Sequence, residues 1–251
     1  MKIPFFHKSW RSDEPLPAAS SDLSPGGSDF VAPEEPVFQF ELGDAKNFVY
    51  LVVDWKTRSA ALVDSRPEWT PIVEFLDAHS LRLEKLLLTH AHADHTLGIP
   101  QALRRSPNIA IHVHPRELDR LSRAVAVPPE NLRLTQDGEA IELGATRIEA
   151  FHTPGHSPGA LCYWIAPNAG RAPLLFTGDT LFIEDCGRTD LPGGSDEEMF
   201  RSLQRLKTFD PTSLVLPGHH YRKPTFSTLA SELARNPALR VASIQELVAL
   251  A

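Results

Sequence analysis

An α+β fold is predicted from three observations. Apolar strand-like segments rich in Val, Ile, Leu, Phe and Tyr come in runs, with helical stretches before and after each run rather than one helix between each pair of strands. Glycine and proline turns separate these segments. Neither a glycine-rich phosphate loop nor a repeat of roughly 20–50 residues interrupts them. A chain of 251 residues suffices for one large domain. That domain is expected over residues 37–251, behind a Pro/Ser-rich arm at residues 1–36 that carries too little apolar surface to offset its ordering entropy. Phe5, Phe6 and Trp10 are the anchors expected if the arm docks.

Val37 to Leu42, Asn47 to Val53 and Ala60 to Val63 read as antiparallel strands, with turns at Gly43-Asp44 and near Lys56-Thr57. From Glu68 to His79 the apolar residues Ile72, Val73, Phe75 and Leu76 share a helical stripe, with Pro71 in the first turn. Leu83 to Thr89 contains an unbroken leucine run, as in a strand buried on both faces. His95 to Arg105 reads as one helix, Ile109 to Val113 as a strand, and Arg116 to Arg123 as a short helix. Leu132 to Leu134 and Glu139 to Leu143 are expected to form a hairpin about Asp137-Gly138. Strands at Thr146 to Phe151, Ala160 to Ile165 and Leu174 to Thr177 follow. Ser195 and Glu198 form a capping-box pattern on a helix from Asp196 to Leu206. Leu214 to Leu216 is a strand, and Ser227 to Arg235 and Ala238 to Leu250 are expected as terminal helices.

Composition excludes several classes. The net charge of −7 argues against nucleic-acid or anionic-lipid partners, since phosphate binding needs a basic face. No apolar run is long enough to span a bilayer, and Ile3-Pro4-Phe5-Phe6 is too short for a secretory core. A cytoplasmic protein acting on a small molecule, as monomer or homodimer, is expected. Two cysteines cannot build a disulfide framework. Cys162 reads as strand core, and Cys186 has no base beside it in sequence.

The chemistry concentrates in Thr89-His90-Ala91-His92-Ala93-Asp94-His95, between a buried strand and a helix. His90 and His92 share a face of extended chain. Asp94 and His95 follow where the loop turns, and two adjacent metals could divide these donors more easily than one. Further donors follow apolar strands in Gly/Pro loops: His156 in Thr153-Pro154-Gly155-His156, Asp179 in Thr177-Gly178-Asp179, and His219 or His220 after Pro217-Gly218. Glycine beside each lets the backbone approach closely. His112, His114 and His152 read as structural or surface residues.

This constellation resembles the metallo-β-lactamase-fold superfamily over about Val37 to Tyr221. Asn47-Phe48-Val49-Tyr50 and Cys186-Gly187-Arg188 resemble its glyoxalase II-like branch. The resemblance implies a four-layer αββα sandwich. It implies that His90, His92 and His156 hold one metal, that Asp94, His95 and His219 hold a second, and that Asp179 bridges them. Asp64 would stand behind the ligands. Its family motif favours His219 over His220.

The activity implied is that of a dinuclear metal-dependent hydrolase, a thioesterase of glyoxalase II type (hydroxyacylglutathione hydrolase-like) using a metal-bridging hydroxide, with Asp94 orienting the nucleophile. Zinc is the first choice of divalent ion; iron and manganese accept the same donors. Arg188 and Tyr221 match positions that touch glutathione in relatives, and with Arg222 and Lys223 they suit an anionic thioester. About 30 residues follow Tyr221, where glyoxalase II carries a long helical domain, and Leu191-Pro192-Gly193-Gly194 departs from its usual loop. The run Cys186-Gly187-Arg188-Thr189-Asp190 also resembles persulfide dioxygenases. That alternative is a mononuclear iron enzyme acting on glutathione persulfide, with His90, His156 and Asp179 as a facial triad.

Overall fold

The computed structural model describes residues 10–11, 36–167 and 171–250. The arm expected over residues 1–36 lies outside them, apart from its last residue and the two-residue strand β1 (Trp10–Arg11). A first sheet runs β1, β2 (Val37–Leu42), β3 (Asn47–Asp54), β4 (Ser59–Val63), β5 (Arg82–Leu87), β6 (Ala110–Val113) and β7 (Leu132–Leu134) in spatial order. The pairings β2–β3 and β3–β4 are antiparallel, and β1–β2 and the steps from β4 to β7 are parallel. The second sheet contains β8 (Ala140–Leu143), β9 (Thr146–His152), β10 (Leu161–Ile165) and β11 (Leu174–Gly178), then β14 (Leu214–Pro217) and β15 (Ser227–Thr228). A small hairpin of β12 (Leu181–Phe182) and β13 (Asp185–Cys186) lies between β11 and β14 in sequence.

Alternation along the strands creates the layers. On β3, Phe48, Tyr50 and Val52 enter a cluster with Leu161, Tyr163, Phe176 and Leu216 of the second sheet. The intervening Val49, Leu51 and Val53 turn to the other face, against Ile72, Phe75 and Leu76 of α1 (Thr70–Ala78) and Ala102 of α3 (Ile99–Arg105). The second sheet repeats the pattern. Cys162, Leu175 and Val215 meet Met199, Leu203 and Leu206 of α5 (Asp196–Leu206) and the C-terminal helices α6 (Leu229–Arg235), α7 (Pro237–Arg240) and α8 (Ile244–Val248). Three apolar interfaces therefore separate four layers, and the αββα sandwich holds. Among the described residues, no helix is long and apolar enough to cross a membrane.

Several local expectations are corrected. The single helix expected over His95 to Arg105 is two, α2 (Ala93–Thr96) and α3, broken at Gly98. A Cβ at Gly98 would collide with the Arg66 carbonyl and the Ser65 hydroxyl, so the chain packs there where only glycine fits. Asp137-Gly138 does not close a hairpin: β7 and β8 belong to different sheets. Asp137 instead accepts from His152 N–H at 2.8 Å and from Arg205 at 2.6 Å, fixing the crossing between sheets. Ser195 caps α5 by accepting Glu198 N–H, but the reciprocal half of the capping box is missing. The Ser195 N–H goes to the Gly155 carbonyl, and the Glu198 carboxylate pairs with Arg116. Ser227–Thr228 pairs with β14 before α6 begins, and the last expected helix is divided into α7 and α8. The expected helix near Arg116 opens as a 3-10 turn at Pro115–Glu117 before α4 (Leu118–Ala124).

Candidate metal centre

The loops after β4, β5, β9, β11 and β14 converge at one edge of the sandwich. Asp64, just after β4, has φ 60°, a conformation aspartate tolerates better than most residues. It aims both carboxylate oxygens at the neighbouring loop. Oδ1 accepts Thr89 N–H at 2.7 Å; Oδ2 accepts the Thr89 hydroxyl at 2.7 Å and lies 2.9 Å from His95 Nδ1. The Thr89 oxygen, having donated to Asp64, faces His90 Nδ1 at 3.1 Å. His156 Nδ1 lies 2.8 Å from the Arg188 carbonyl, and His219 Nδ1 lies 2.9 Å from the Ala45 carbonyl. Carbonyls and carboxylates only accept, so His95, His156 and His219 carry a hydrogen on Nδ1 and turn Nε2 inward. His92 is reversed: Nδ1 faces inward, and its buried Nε2 has no hydrogen-bond partner.

The inward atoms form compact donor sets. His92 Nδ1 is 3.0 Å from His90 Nε2 and 2.9 Å from His156 Nε2. His95 Nε2 is 3.2 Å from His219 Nε2, and Asp94 Oδ2 is 3.5 and 3.3 Å from the two. Asp179 touches both groups, at 3.6 Å from His156, 3.5 Å from His95 and 3.4 Å from His219. Among the described residues, three groups could hold a metal: His90–His92–His156, His90–His95–Asp179 and Asp94–His95–His219, each with ligand atoms within 4.8 Å of one another. Asp179 Oδ1 is buried without a hydrogen-bond partner, as a carboxylate built for a cation would be. A Cβ on Gly218 would collide with that oxygen, so glycine there admits the carboxylate. The donor set fits divalent ions with an appetite for imidazole and carboxylate.

The two sides differ in charge. Burial and the surrounding imidazoles hold His90 far below the usual histidine range; burial, with His156 and Arg120 nearby, brings His92 down to about 4. On the other side burial also opposes charge on His95, but Asp179, Asp64 and Asp94 outweigh it and raise the ring. His219 rises to about 10 against its burial, through hydrogen bonds with Asp179 and Asp94. Burial opposes ionisation of Asp94 and Asp179, yet the facing histidines keep both carboxyls below their ordinary range. On one side His90 and His92 are held neutral. The other asks for positive charge, which a cation supplies as well as protons do.

All seven expected donors thus meet, with Asp64 behind them. Arg188 and Tyr221 lie at the rim. The Arg188 guanidinium is exposed and holds Asp190 through two 2.6 Å hydrogen bonds. Tyr221 is 58 % exposed and stacks on His219 with centroids 4.8 Å apart. His220 turns away, to Glu41 at 2.7 Å and against Phe48. His112 bonds Thr135, and His114 stacks on His152; none of the three joins a donor set. Burial pushes the Cys186 thiol up to about 12 and Cys162 up to about 11, which leaves neither as a nucleophile. Sequence reasoning assigned no role to Asn47. Its side chain donates to Asp94 Oδ2 at 3.0 Å, and its backbone bridges to His219. A polar residue opening an otherwise apolar strand was the available signal.

The sequence model of the metallo-beta-lactamase superfamily matches residues 42–219. The hydroxyacylglutathione hydrolase of Pseudomonas paraeruginosa is 35 % identical over 192 residues, spanning 76 % of this chain and 67 % of that protein. The probable polyketide biosynthesis zinc-dependent hydrolase PksB of Bacillus subtilis is 34 % identical, over 70 % of this chain and 74 % of its own. Among solved structures, TTHA1623 in a di-iron-bound form has a TM-score of 0.66 at 30 % identity, covering 80 % of this chain and 98 % of that one. ETHE1 from Myxococcus xanthus has a TM-score of 0.72 at 27 % identity, covering 84 % and 88 %.

Proposed function

The chain belongs to the metallo-beta-lactamase superfamily and is a metallo-hydrolase of that fold, and from that premise we propose that it hydrolyses a small anionic thioester, in the manner of glyoxalase II, with two divalent ions. The observation that carries the reading is the position of Asp179, within 3.6 Å of histidines from both donor sets. In this reading His90, His92 and His156 hold one ion, Asp94, His95 and His219 the other, and Asp179 is shared. Zinc is the expected metal, in keeping with the zinc-dependent hydrolase among the relatives; iron and manganese suit the same donors. The di-iron form of a relative supports two ions rather than one. Bound ions supply an acidified water and polarisation of the scissile carbonyl.

The chain's own residues do the rest. Asp94, 32 % exposed at its side chain against 8 % for Asp179, and ionised, is the more open of the two carboxylates and able to orient a nucleophile. Asn47 N–H fixes its Oδ2. Asp64, the Arg188 carbonyl and the Ala45 carbonyl hold three imidazoles in one tautomer, so no reorganisation is needed during turnover. A thiolate leaves readily, so no separate general acid is required. Arg188 and Tyr221 flank the opening, where they receive the anionic part of the substrate.

The second reading, an iron-dependent persulfide dioxygenase, is favoured by the Cys186-Gly187-Arg188-Thr189-Asp190 run and by the approach of His156 to Asp179. Metal content read beside S-lactoylglutathione cleavage and oxygen uptake with glutathione persulfide separates the two. Two ions with thioester cleavage are expected. One iron with oxygen uptake would replace the hydrolase by the oxygenase.

A further inference from the structure

Glu117 lies at the junction between the 3-10 turn Pro115–Glu117 and α4. It is fully buried, at 0 % exposure. Its two carboxylate oxygens each take one backbone N–H: Oε2 accepts from Ala91 at 2.9 Å, and Oε1 accepts from Gly159 at 2.7 Å. Ala91 stands between His90 and His92, and Gly159 stands three residues after His156. The two loops hang from different sheets, β5 in the first and β9 in the second. Gly159 is shaped for this contact, since a Cβ there would stand 2.7 Å from Glu117 Cγ. The nearest cation is Arg120, its Nε 3.9 Å from Oε2, itself turned to the Pro192 carbonyl.

We propose that Glu117 is the positioning residue of the His90–His92–His156 donor set, a buried carboxylate that ties the two ligand-bearing loops across the sheets. A buried carboxylate is costly unless satisfied, and here two amides from different loops satisfy it. Separation of the loops would strand it, so the fold holds His156 against His90 and His92 before any ion arrives. Asp64 does the corresponding work for His95. The inference rests on the metal-centre reading, but it serves either version of it, because His90 and His156 are ligands in the dinuclear hydrolase and in the mononuclear alternative alike.

The test is zinc and cobalt titration of the metal-stripped full chain, comparing wild type, Glu117→Gln and a control, Asn131→Ala. Asn131 is a buried residue that donates to the Pro107 and Ile109 carbonyls, outside the donor sets. Glutamine keeps the volume but turns one acceptor into a donor facing an N–H, so one of the two ties is lost. We expect Glu117→Gln to fold, to bind one ion on the order of 10–100-fold more weakly, and to shift the visible spectrum of that cobalt ion while leaving any second ion unchanged. Asn131→Ala should lower thermal stability without moving affinity or spectrum. Wild-type affinity and spectrum in Glu117→Gln would overturn the proposal, as would equal weakening in both variants. If Glu117→Gln does not fold, Glu117→Asp, which keeps the charge but shortens the reach, takes its place under the same criteria. Wild-type stoichiometry reports separately on the two-ion reading: one ion bound would contradict that reading and still leave the variant ratio to decide on Glu117.

Discussion

The two sides of the metal centre are built from different chemistry on one edge of the sandwich. His90, His92 and His156 are imidazoles alone, with His90 and His92 held in their neutral forms. Asp94, His95 and His219 combine a carboxylate with two rings that carboxylates have pushed toward the protonated form. Their supports differ as well. On the first side the Thr89 hydroxyl faces His90, the Arg188 carbonyl faces His156, and the Glu117 carboxylate ties the two loops through their amides. On the second, Asp64 holds His95, Asn47 holds Asp94 and the Ala45 carbonyl holds His219. The lesson is electrostatic: a neutral cradle binds a cation by donor geometry, whereas the acidic side also draws it by charge. Asp179 belongs to both, so one carboxylate couples them.

Breaking the coupling gives the largest effect. Asp179→Ala should remove most of the metal and reduce activity by about 10³-fold or more, as expected for several kcal/mol of charge stabilisation; metal analysis beside the rate checks both at once. Next come variants that break one side at a time. His92→Ala should leave about one ion, on the acidic side, and His219→Ala about one, on the neutral side. The remaining ion should be held more tightly in His92→Ala, and competition with a chelator measures the difference. Asp64→Asn sharpens the comparison further. Asparagine suits the positive φ, yet it loses the acceptor facing His95, so affinity on the acidic side should fall by about 10–100-fold, with a smaller effect on the other side passed through Thr89 to His90. Asn47→Ala should act on the same side, nearer about tenfold, read in the same titration. The smallest effect is expected at the rim. Arg188→Ala should raise KM by about three- to fivefold with kcat little changed, because the guanidinium is exposed and already shared with Asp190.

The candidate donors were legible because each follows an apolar strand and, beyond the first loop, stands beside a glycine in a Gly/Pro loop; their division between two metals was implied by the family resemblance. The four layers were likewise implied by the resemblance, and the structure gives their physical basis: Phe48, Tyr50 and Val52 alternate with Val49, Leu51 and Val53, burying a surface on each face. The break at Gly98 was not legible, since it depends on the Arg66 backbone lying against it. Nor was the sheet change at Asp137-Gly138, where a short turn motif looks local but its carboxylate is committed to Arg205, 68 residues away. Asn47 and Glu117 were hidden alike. Each bonds a loop 26 or more residues away, and no periodicity records such a partner.

The most direct test of the account is native mass spectrometry of the zinc-reconstituted chain, with Asp179→Ala measured alongside. Two zinc ions in the wild type and loss of both in the variant are predicted. A wild type that saturates at one ion, or an Asp179→Ala chain that retains two, would contradict a centre of two unlike sides joined by one carboxylate.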